Sequence, residues 1–234
     1  MPFIEDKPII FFATVKSTKD PKKIGRVQVE LKDLAKAVEM PWLRLVNSYA
    51  SKEFGMTIYP EVGDIVAVIR GAGDRVGSML ILGSVYDKIN AQPVPDKDGK
   101  NNIKQILTRA KHQFEISDED GKEKVSLITS KKAEMVFDDK DSKVHFKVKG
   151  LLVEMDGKGK CITIKSDDKI VLDAKNVHIK GSFLVDVKGK DIKIKADMNT
   201  KIDGGIKVAI KGGAAVDIQG GAKVAVKGAI TSIG

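Results

Sequence analysis

Apolar residues recur every seven or eight positions along the last third of the chain, mostly in pairs separated by one residue. Side chains two residues apart lie on the same face of a strand, and the Val and Ile that dominate these pairs favour pleated sheet. Gly or Ala follows most pairs, as at Gly181 and Gly204, where the chain can turn a corner. Because a helix needs a period of about 3.6, this spacing predicts a β-solenoid with one short strand per octad. The inward side chains would be Ile164, Leu172, Ile179, Val187, Ile194, Ile202, Ile210, Ile218 and Val226.

A strand with only two inward side chains cannot close a hydrophobic core, so the octads must stack on neighbouring strands. One chain could coil on itself with about 24 residues per triangular turn, climbing roughly 4.8 Å each time. Alternatively, three identical chains could wind around one another, each octad climbing that same distance. The pattern alone leaves both arrangements open.

The first 88 residues contain five apolar or alternating segments separated by turn residues: 9–15, 25–31, 42–46, 65–69 and 79–82. Short strands at this spacing without a helical pattern predict a small closed barrel, and the oligonucleotide/oligosaccharide-binding (OB) fold is the commonest five-stranded solution. We therefore predict an OB domain over residues 1–88 of an all-β protein.

Composition divides the remainder of the chain. Residues 89–104 are rich in Pro, Asp, Lys and Gly and are predicted to be a linker. Residues 105–160 hold short apolar segments separated by acidic turns, which predicts irregular β-structure leading into the octads of residues 161–234.

The chain carries a formal net charge of +9, a balance that often indicates binding to nucleic acid or to an acidic membrane surface. The lysines alternate with aspartates along the octads, as between Asp191 and Ala196, so we interpret them as solvated faces and charged edges that oppose aggregation. The single cysteine, Cys161, has no disulfide or metal companion, which predicts a reducing compartment. No apolar run near the N-terminus is long enough for a signal peptide or a membrane span, so we expect synthesis in the cytoplasm without a leader.

No catalytic or metal-binding constellation is predicted, and we expect neither enzymatic activity nor a cofactor. Acid pairs such as Asp138 and Asp139 lie in predicted turns, where nothing would desolvate them for general acid catalysis. The histidines are isolated from one another along the sequence: His112, His145 and His178.

Several short motifs occur in the predicted OB domain: Gly25-Arg26-Val27, Gly55, Leu82-Gly83-Ser84-Val85-Tyr86 and an OB-domain motif comprising Trp42, Pro60, Glu61, Gly63 and Asp64. In their order along the chain, these motifs resemble the OB domain of the central spike proteins of contractile injection systems. That family includes phage baseplate assembly protein V and the valine-glycine repeat proteins of type VI secretion. Residues 112–141 resemble its first β-prism strands, and the octads resemble its C-terminal needle.

The resemblance implies a homotrimer, with three OB domains as a collar and three chains intertwined into a triangular β-helix. The inward octad residues would then form the trimer core of a needle about 40 Å long, at about 4.8 Å per step. The chain has no hub-like region, muramidase insertion or terminal His-x-His iron site. The resemblance therefore implies a separate hub protein at the OB end of the chain. At the other end it implies a PAAR-type tip protein, which would contact Ile230, Thr231, Ser232, Ile233 and Gly234.

The function expected from this resemblance is a structural spike of a phage tail, a tailocin or a type VI-like secretion baseplate, driven through a target membrane. An alternative is a single-stranded nucleic-acid-binding protein with a solenoid tail, in which Trp42 would stack a base, although we expect no nucleic acid partner. A single-chain β-helical adhesin or polysaccharide enzyme is a weaker hypothesis, because neither a signal peptide nor paired acids in a groove are predicted.

Overall fold

The structure is a computed structural model of the 234-residue chain, and it describes residues 9–31, 38–71 and 78–230. The chain divides into two units, Met1–Val171 and Leu172–Gly234. No α-helix occurs among the described residues, and the all-β prediction is confirmed. The strands are β1 (Ile9–Ser17), β2 (Arg26–Leu31), β3 (Val38–Glu39), β4 (Leu43–Leu45), β5 (Ile65–Arg70), β6 (Met79–Val85), β7 (Ile103–Leu107), β8 (Gln113–Ser117), β9 (Lys124–Ile128), β10 (Glu134–Asp138), β11 (Lys143–Val148), β12 (Leu151–Asp156) and β13 (Cys161–Ser166).

Five of the first six strands form a closed barrel in the order β1-β5-β6-β4-β2, which the pairing of β1 with β2 completes. The pairs are antiparallel except for β4 and β6, which run parallel. β3 adds a short segment to the outer edge of β2. The five-stranded barrel predicted from the sequence is confirmed, while β3 was not predicted.

The barrel has its own hydrophobic core, because alternate residues of each strand point inward. Val27 and Val29 of β2, which alternate with polar residues in the sequence, are completely buried, and so are Val66 and Val68 of the apolar strand β5. The buried apolar residues are Ala13, Val15, Val27, Val29, Leu43, Val66, Val68 and Ile81.

Strands β7 to β13 form a second sheet, in which each strand pairs antiparallel with the next along the chain. The sequence predicted irregular β-structure here, whereas the observed sheet is a regular meander. It begins at Ile103, within the predicted linker, and it includes β13, which was assigned to the octads. Short connections explain the regularity, because each strand returns directly along the one before it.

Each of the six hairpin connections of this sheet contains one residue with positive φ. Only glycine adopts this backbone conformation without steric cost, and two of the six residues are glycines. The residues are Lys111, Gly121, Lys132, Ser142, Gly150 and Lys160.

Residues 172–230, which we call the octad segment, form extended chain with bends at 175, 182–183, 190, 197–198, 205–206, 213–214, 221–222 and 229–230. The spacing agrees with the corners predicted at the glycines. A Cβ atom on Gly204 would lie 2.7 Å from the carbonyl oxygen of Lys207, so the corner requires glycine. A chain coiled on itself would pair strands about 24 residues apart. The described residues 172–230 contain no strand pairing. Within these residues, one chain therefore does not coil on itself into a solenoid.

Candidate oligomerisation interface

Cross-strand register places most of the apolar residues of the second sheet on one face. Ile106 and Phe114 are partners at one edge of the sheet, and Val153 and Ile164 are partners at the other. Residues that are partners across antiparallel strands lie on the same face of a sheet. We call the two resulting rows the apolar face: Ile106, Phe114, Leu127, Met135, Phe146, Val153 and Ile164 form the longer row, and Ile116, Val125, Phe137, Val144, Met155 and Ile162 form the shorter one.

The apolar face is open to solvent in the single chain. Leu127 is 50% exposed, Phe146 45% and Ile162 69%, although the residues form uninterrupted rows across the sheet. Soluble proteins that function as monomers rarely expose contiguous apolar patches larger than a few hundred Å². The face therefore has the character of a surface that another polypeptide covers.

The opposite face of the same sheet is polar and has its own hydrogen bonds. The carboxylate of Glu115 accepts hydrogen bonds from the amides of Gln105 and Gln113 at 2.9 and 2.8 Å. Lys143 Nζ lies 3.3 Å from Asp156, and this hydrogen bond and charge raise the pKa of Lys143. Charges and amides that are hydrogen-bonded in this way are compatible with water. Two atoms on this face, Gln105 Oε1 and Ser126 Oγ, are buried without a hydrogen-bond partner.

The predicted trimer-core residues are all exposed in the single chain, from 60% for Ile164 to 76% for Ile194. The structure places Ile164 in β13, where it ends the longer row of the apolar face. The other eight lie along the octad segment: Leu172, Ile179, Val187, Ile194, Ile202, Ile210, Ile218 and Val226. Within the described residues 172–230 no strand pairing covers these side chains, and they remain exposed.

The predicted tip contact lies mostly outside the described residues. Ile230 is 91% exposed, and residues 231–234 are not among those that the structure describes.

The OB-domain motif forms a tight turn that ties β1 to the start of β5. The carboxylate of Asp64 accepts a hydrogen bond from the backbone N–H of Glu61 at 2.9 Å, and Gly63 has a φ of 100°. Val15 accepts a hydrogen bond from the N–H of Gly63 and donates one to the carbonyl of Asp64, both at 2.9 Å. Pro60 is buried in this turn and Trp42 is half-buried. The residues of this turn therefore have a structural role, because their hydrogen bonds join two strands of the barrel.

Asp20 organises the loop between β1 and β2, a role that sequence reasoning missed. Its side chain is 4% exposed and lies 2.6 Å from the guanidinium of Arg26. It also accepts hydrogen bonds from the backbone N–H groups of Lys22, Ile24 and Arg26 at 3.0, 3.0 and 3.2 Å. The Arg26 hydrogen bond, together with these backbone donors, holds the pKa of Asp20 well below its usual range. The polar turn after β1 was the only signal in the sequence.

A second apolar surface lies on the barrel, on a hairpin that the bridge between Ala50 and Gly55 closes. Tyr49 and Phe54 lie next to this bridge with their ring centroids 5.9 Å apart, and both are more than half exposed. A Cβ atom on Gly55 would lie 2.7 Å from the carbonyl oxygen of Tyr49, so the close approach of the two hairpin arms requires glycine. A groove of about 480 Å³ runs beside the hairpin, with Leu45, Tyr59 and Tyr86 in its walls.

Metal chemistry has no assembled site in the part of the chain that the structure describes. No group of three or more His, Cys, Asp or Glu side chains there could hold a metal ion. Among the same residues, no helix has the length and apolar character needed to cross a bilayer.

Comparison with known proteins agrees with the fold of the barrel. No curated protein matches the sequence. Residues 11–86, which comprise nearly all of the barrel and the whole of its turn motif, match the family model of the type VI secretion system/phage-baseplate injector OB domain.

Proposed function

We propose that this protein is a homotrimeric central spike of a contractile injection system, in which three chains turn their apolar faces toward a common axis. The observation that carries the proposal is the uncovered apolar face, which crosses all seven strands of the second sheet. The family match of the barrel supports a structural role in a baseplate.

The octad segment supports the same assembly. Its backbone is extended and bends at regular intervals, yet it pairs with nothing in its own chain within residues 172–230. Three chains wound around one axis would supply both the missing strand partners and a common interior for the exposed Val and Ile side chains. Two copies would leave one side of a triangular interior open.

The magnitudes are sufficient for a stable assembly. Full burial of a large apolar side chain contributes about 1.5–3 kcal/mol, so covering the half that remains exposed contributes about 1 kcal/mol. Nine of the thirteen residues of the apolar face are at least 37% exposed: Ile106, Phe114, Val125, Leu127, Phe137, Phe146, Met155, Ile162 and Ile164. Over these nine the contribution is roughly 9 kcal/mol per copy, within the estimated 4–15 kcal/mol cost of association. The octad segments add to this, so the balance favours assembly.

The function of such a spike is mechanical. Hydrogen bonding between chains along a thin prism resists buckling, so axial force from sheath contraction reaches the tip. The charged outer faces favour water over lipid, which suits transient passage through a target membrane, and we infer no enzymatic role.

We place a separate hub protein at the barrel end and a PAAR-type tip protein at the C-terminal end. The exposed aromatic pair Tyr49 and Phe54 supports a protein contact on the barrel. A β-helical needle ends in free strand edges and an open apolar interior, which favours a cap. Nucleic acid has no place in this proposal, because half-buried Trp42 offers no exposed stacking platform.

Size-exclusion chromatography with light scattering tests the proposal. We expect three times the chain mass of 25.4 kDa, maintained on dilution to micromolar concentration. A monodisperse monomer or dimer would refute the trimeric spike. Loss of piercing-competent particles when the protein is omitted from reconstitution would test its role in the injection system separately.

A further inference from the structure

The two edges of the second sheet carry opposite charge. Successive turns of an antiparallel meander lie on alternate edges, so the turns β7–β8, β9–β10 and β11–β12 share one edge, and the turns β8–β9, β10–β11 and β12–β13 share the other. The charged residues in the turns of the first edge are all cations. We call it the basic edge, and its cations are Arg109, Lys111, Lys131, Lys132 and Lys149.

The other edge, which we call the acidic edge, has the opposite sign over its first two turns. Residues 118–123 and 139–142 together contain six carboxylates and two lysines, a net charge of −4 that matches the +4 of the first two turns of the basic edge. The carboxylates are Asp118, Glu119, Asp120, Glu123, Asp139 and Asp141.

The signs exchange at the last strand of the sheet. The turn β12–β13 contains Lys158 and Lys160 on the acidic edge, whereas β13 ends on the basic edge and is followed there by Asp167 and Asp168. The backbone N–H of Asp167 donates a hydrogen bond to the carbonyl of Gly150 at 3.0 Å, which holds it beside this edge. The two edges therefore differ in sign at both ends of the sheet.

Several of these side chains have no ionic partner in the part of the chain that the structure describes. Lys111, Lys131 and Lys132 are exposed and form no ion pair with a described residue, and the same holds for Asp120 and Asp139. The ion pairs that the turns form within the chain are Arg109 with Glu61, Lys122 with Glu119, Lys104 with Asp118 and Lys158 with Asp141. The remaining lysines and carboxylates are available to another chain.

We infer that charge pairing closes each corner of the proposed prism, with the basic edge of one copy beside the acidic edge of the next. The inference rests on the proposed homotrimer, in which each second sheet forms one wall. Three-fold rotation brings one edge of every wall to the opposite edge of its neighbour, so unlike edges always meet. Turns on the two edges are offset by one strand, about 4.8 Å, which is shorter than the screening length of about 8 Å at physiological ionic strength.

The charge order selects one arrangement of copies among those that bury the apolar faces. A copy inserted upside down would still turn its apolar face inward, but its basic edge would meet a basic edge. A copy displaced along the axis would bring Asp167 and Asp168 toward the carboxylates of its neighbour, because the signs exchange at β13. Like charges in contact are unfavourable and exclude such arrangements. The edges therefore specify the direction and height of each copy, which apolar burial alone leaves open.

Charge reversal at exposed turn residues tests the pairing in the full-length protein. The basic-edge variant carries Lys111→Glu and Lys131→Glu, and the acidic-edge variant carries Asp120→Lys and Asp139→Lys. A combined variant carries all four substitutions, so that unlike edges meet again with their signs exchanged. The control variant carries Lys52→Glu and Lys88→Glu, which make the same change in net charge at exposed positions of residues 1–88.

The measurement is light scattering over a dilution series in urea, which leaves the ionic strength unchanged, at a urea concentration where micromolar wild type dissociates. Single exposed ion pairs are weak, but each reversal acts at three corners, so the trimer association constant should fall by about two to four orders of magnitude. The concentration of half-dissociation varies as its inverse square root and should rise about ten- to a hundredfold in each single-edge variant. The combined variant should return to within about threefold of wild type. In 1 M salt, where the screening length is about 3 Å, the single-edge variants should approach wild type.

The same samples separate the possible failures, and circular dichroism before dilution shows that each variant contains the wild-type sheet. A trimeric wild type whose single-edge variants dissociate no more readily than the control would overturn the corner pairing and leave the proposed trimer standing. Failure of the combined variant to recover would do the same. A wild type that is monomeric without urea would overturn the trimer and the pairing together.

Discussion

Replacement of Leu127 tests the proposed interface most directly, because this residue lies near the centre of the longer row of the apolar face. Its cross-strand neighbours are Phe114 and Met135, and 50% of its surface is exposed in the single chain. Ile128, the next residue, is the partner of Gln113 on the opposite, polar face. We predict that Leu127→Gln dissociates the trimer, whereas Ile128→Gln leaves it intact.

The magnitude follows from the exposure of Leu127 in the single chain. Covering its exposed half contributes about 1 kcal/mol, roughly half of the 1.5–3 kcal/mol for complete burial of leucine. An amide buried in the same place without a partner costs about 1–3 kcal/mol more. The sum is about 2–4 kcal/mol per copy and about 6–12 kcal/mol per trimer. At about 1.4 kcal/mol per tenfold change, the association constant should fall by roughly four to eight orders of magnitude.

The assay is light scattering over a dilution series, with thermal unfolding by circular dichroism to show that each variant is folded. In Ile128→Gln the new side chain lies on the polar face, which the proposed trimer leaves in contact with water. Any loss of stability in this variant should therefore leave its oligomeric state unchanged. The reasoning fails if folded Leu127→Gln remains trimeric to the same dilution as wild type. It fails equally if Ile128→Gln dissociates to the same extent.

Three further predictions follow from the local geometry. Lys132 has a φ of 62°, a left-handed conformation that costs a residue with a side chain about 1–2 kcal/mol. Lys132→Gly should therefore raise the free energy of unfolding by about 1 kcal/mol once the extra flexibility of glycine is subtracted. Lys131→Gly should lower it in denaturant titrations, and a loss in both variants would contradict the hairpin argument. Gly204→Ala should reduce the protease resistance of the octad segment, because its Cβ would lie 2.7 Å from a carbonyl oxygen. A Cβ atom on Gly205 would meet nothing within 4 Å, so Gly205→Ala should have the protease resistance of wild type. Equal losses of resistance in the two variants would contradict the requirement for glycine at position 204. For Asp20, whose pKa is held below the ordinary value of 3.8, the ionised carboxylate stabilises the fold above that pH, and this stabilisation is lost as pH falls below it. Asp20→Asn should lower the melting temperature at neutral pH and flatten its decline in acid, and an unchanged acid profile would exclude this role.

The barrel strands could be predicted from the sequence because the pattern that indicates each strand lies within a few consecutive residues. Val27 and Val29 alternate with polar residues, and Val66 and Val68 lie in an apolar run between glycines. Each pattern specifies a strand without reference to the rest of the chain. The turn from Pro60 to Asp64 is equally local, since the side chain of Asp64 bonds to a backbone group three residues earlier.

The second sheet could be predicted from the sequence only in part. Its strands were expected as short apolar segments between acidic turns. The first two residues of β7, Ile103 and Lys104, were instead assigned to the linker, because the residues before them are polar and rich in turn formers. Whether Leu127 and Phe146 face a shared surface depends on the register of separate hairpins, which alternation in one strand does not specify. The contact between Asp20 and Arg26 could not be predicted for a similar reason. A carboxylate in a polar turn has many possible partners, and only the folded loop determines which one it contacts.

The sequence by itself determined where strands form and where the octad segment bends. Side-chain direction and the backbone freedom of glycine act within a few residues, so these features can be recognised without a fold. Only the tertiary structure decided which strand edges find partners in the same chain and which apolar surface stays uncovered. Both depend on register between distant segments, where backbone hydrogen bonding and burial must be satisfied together.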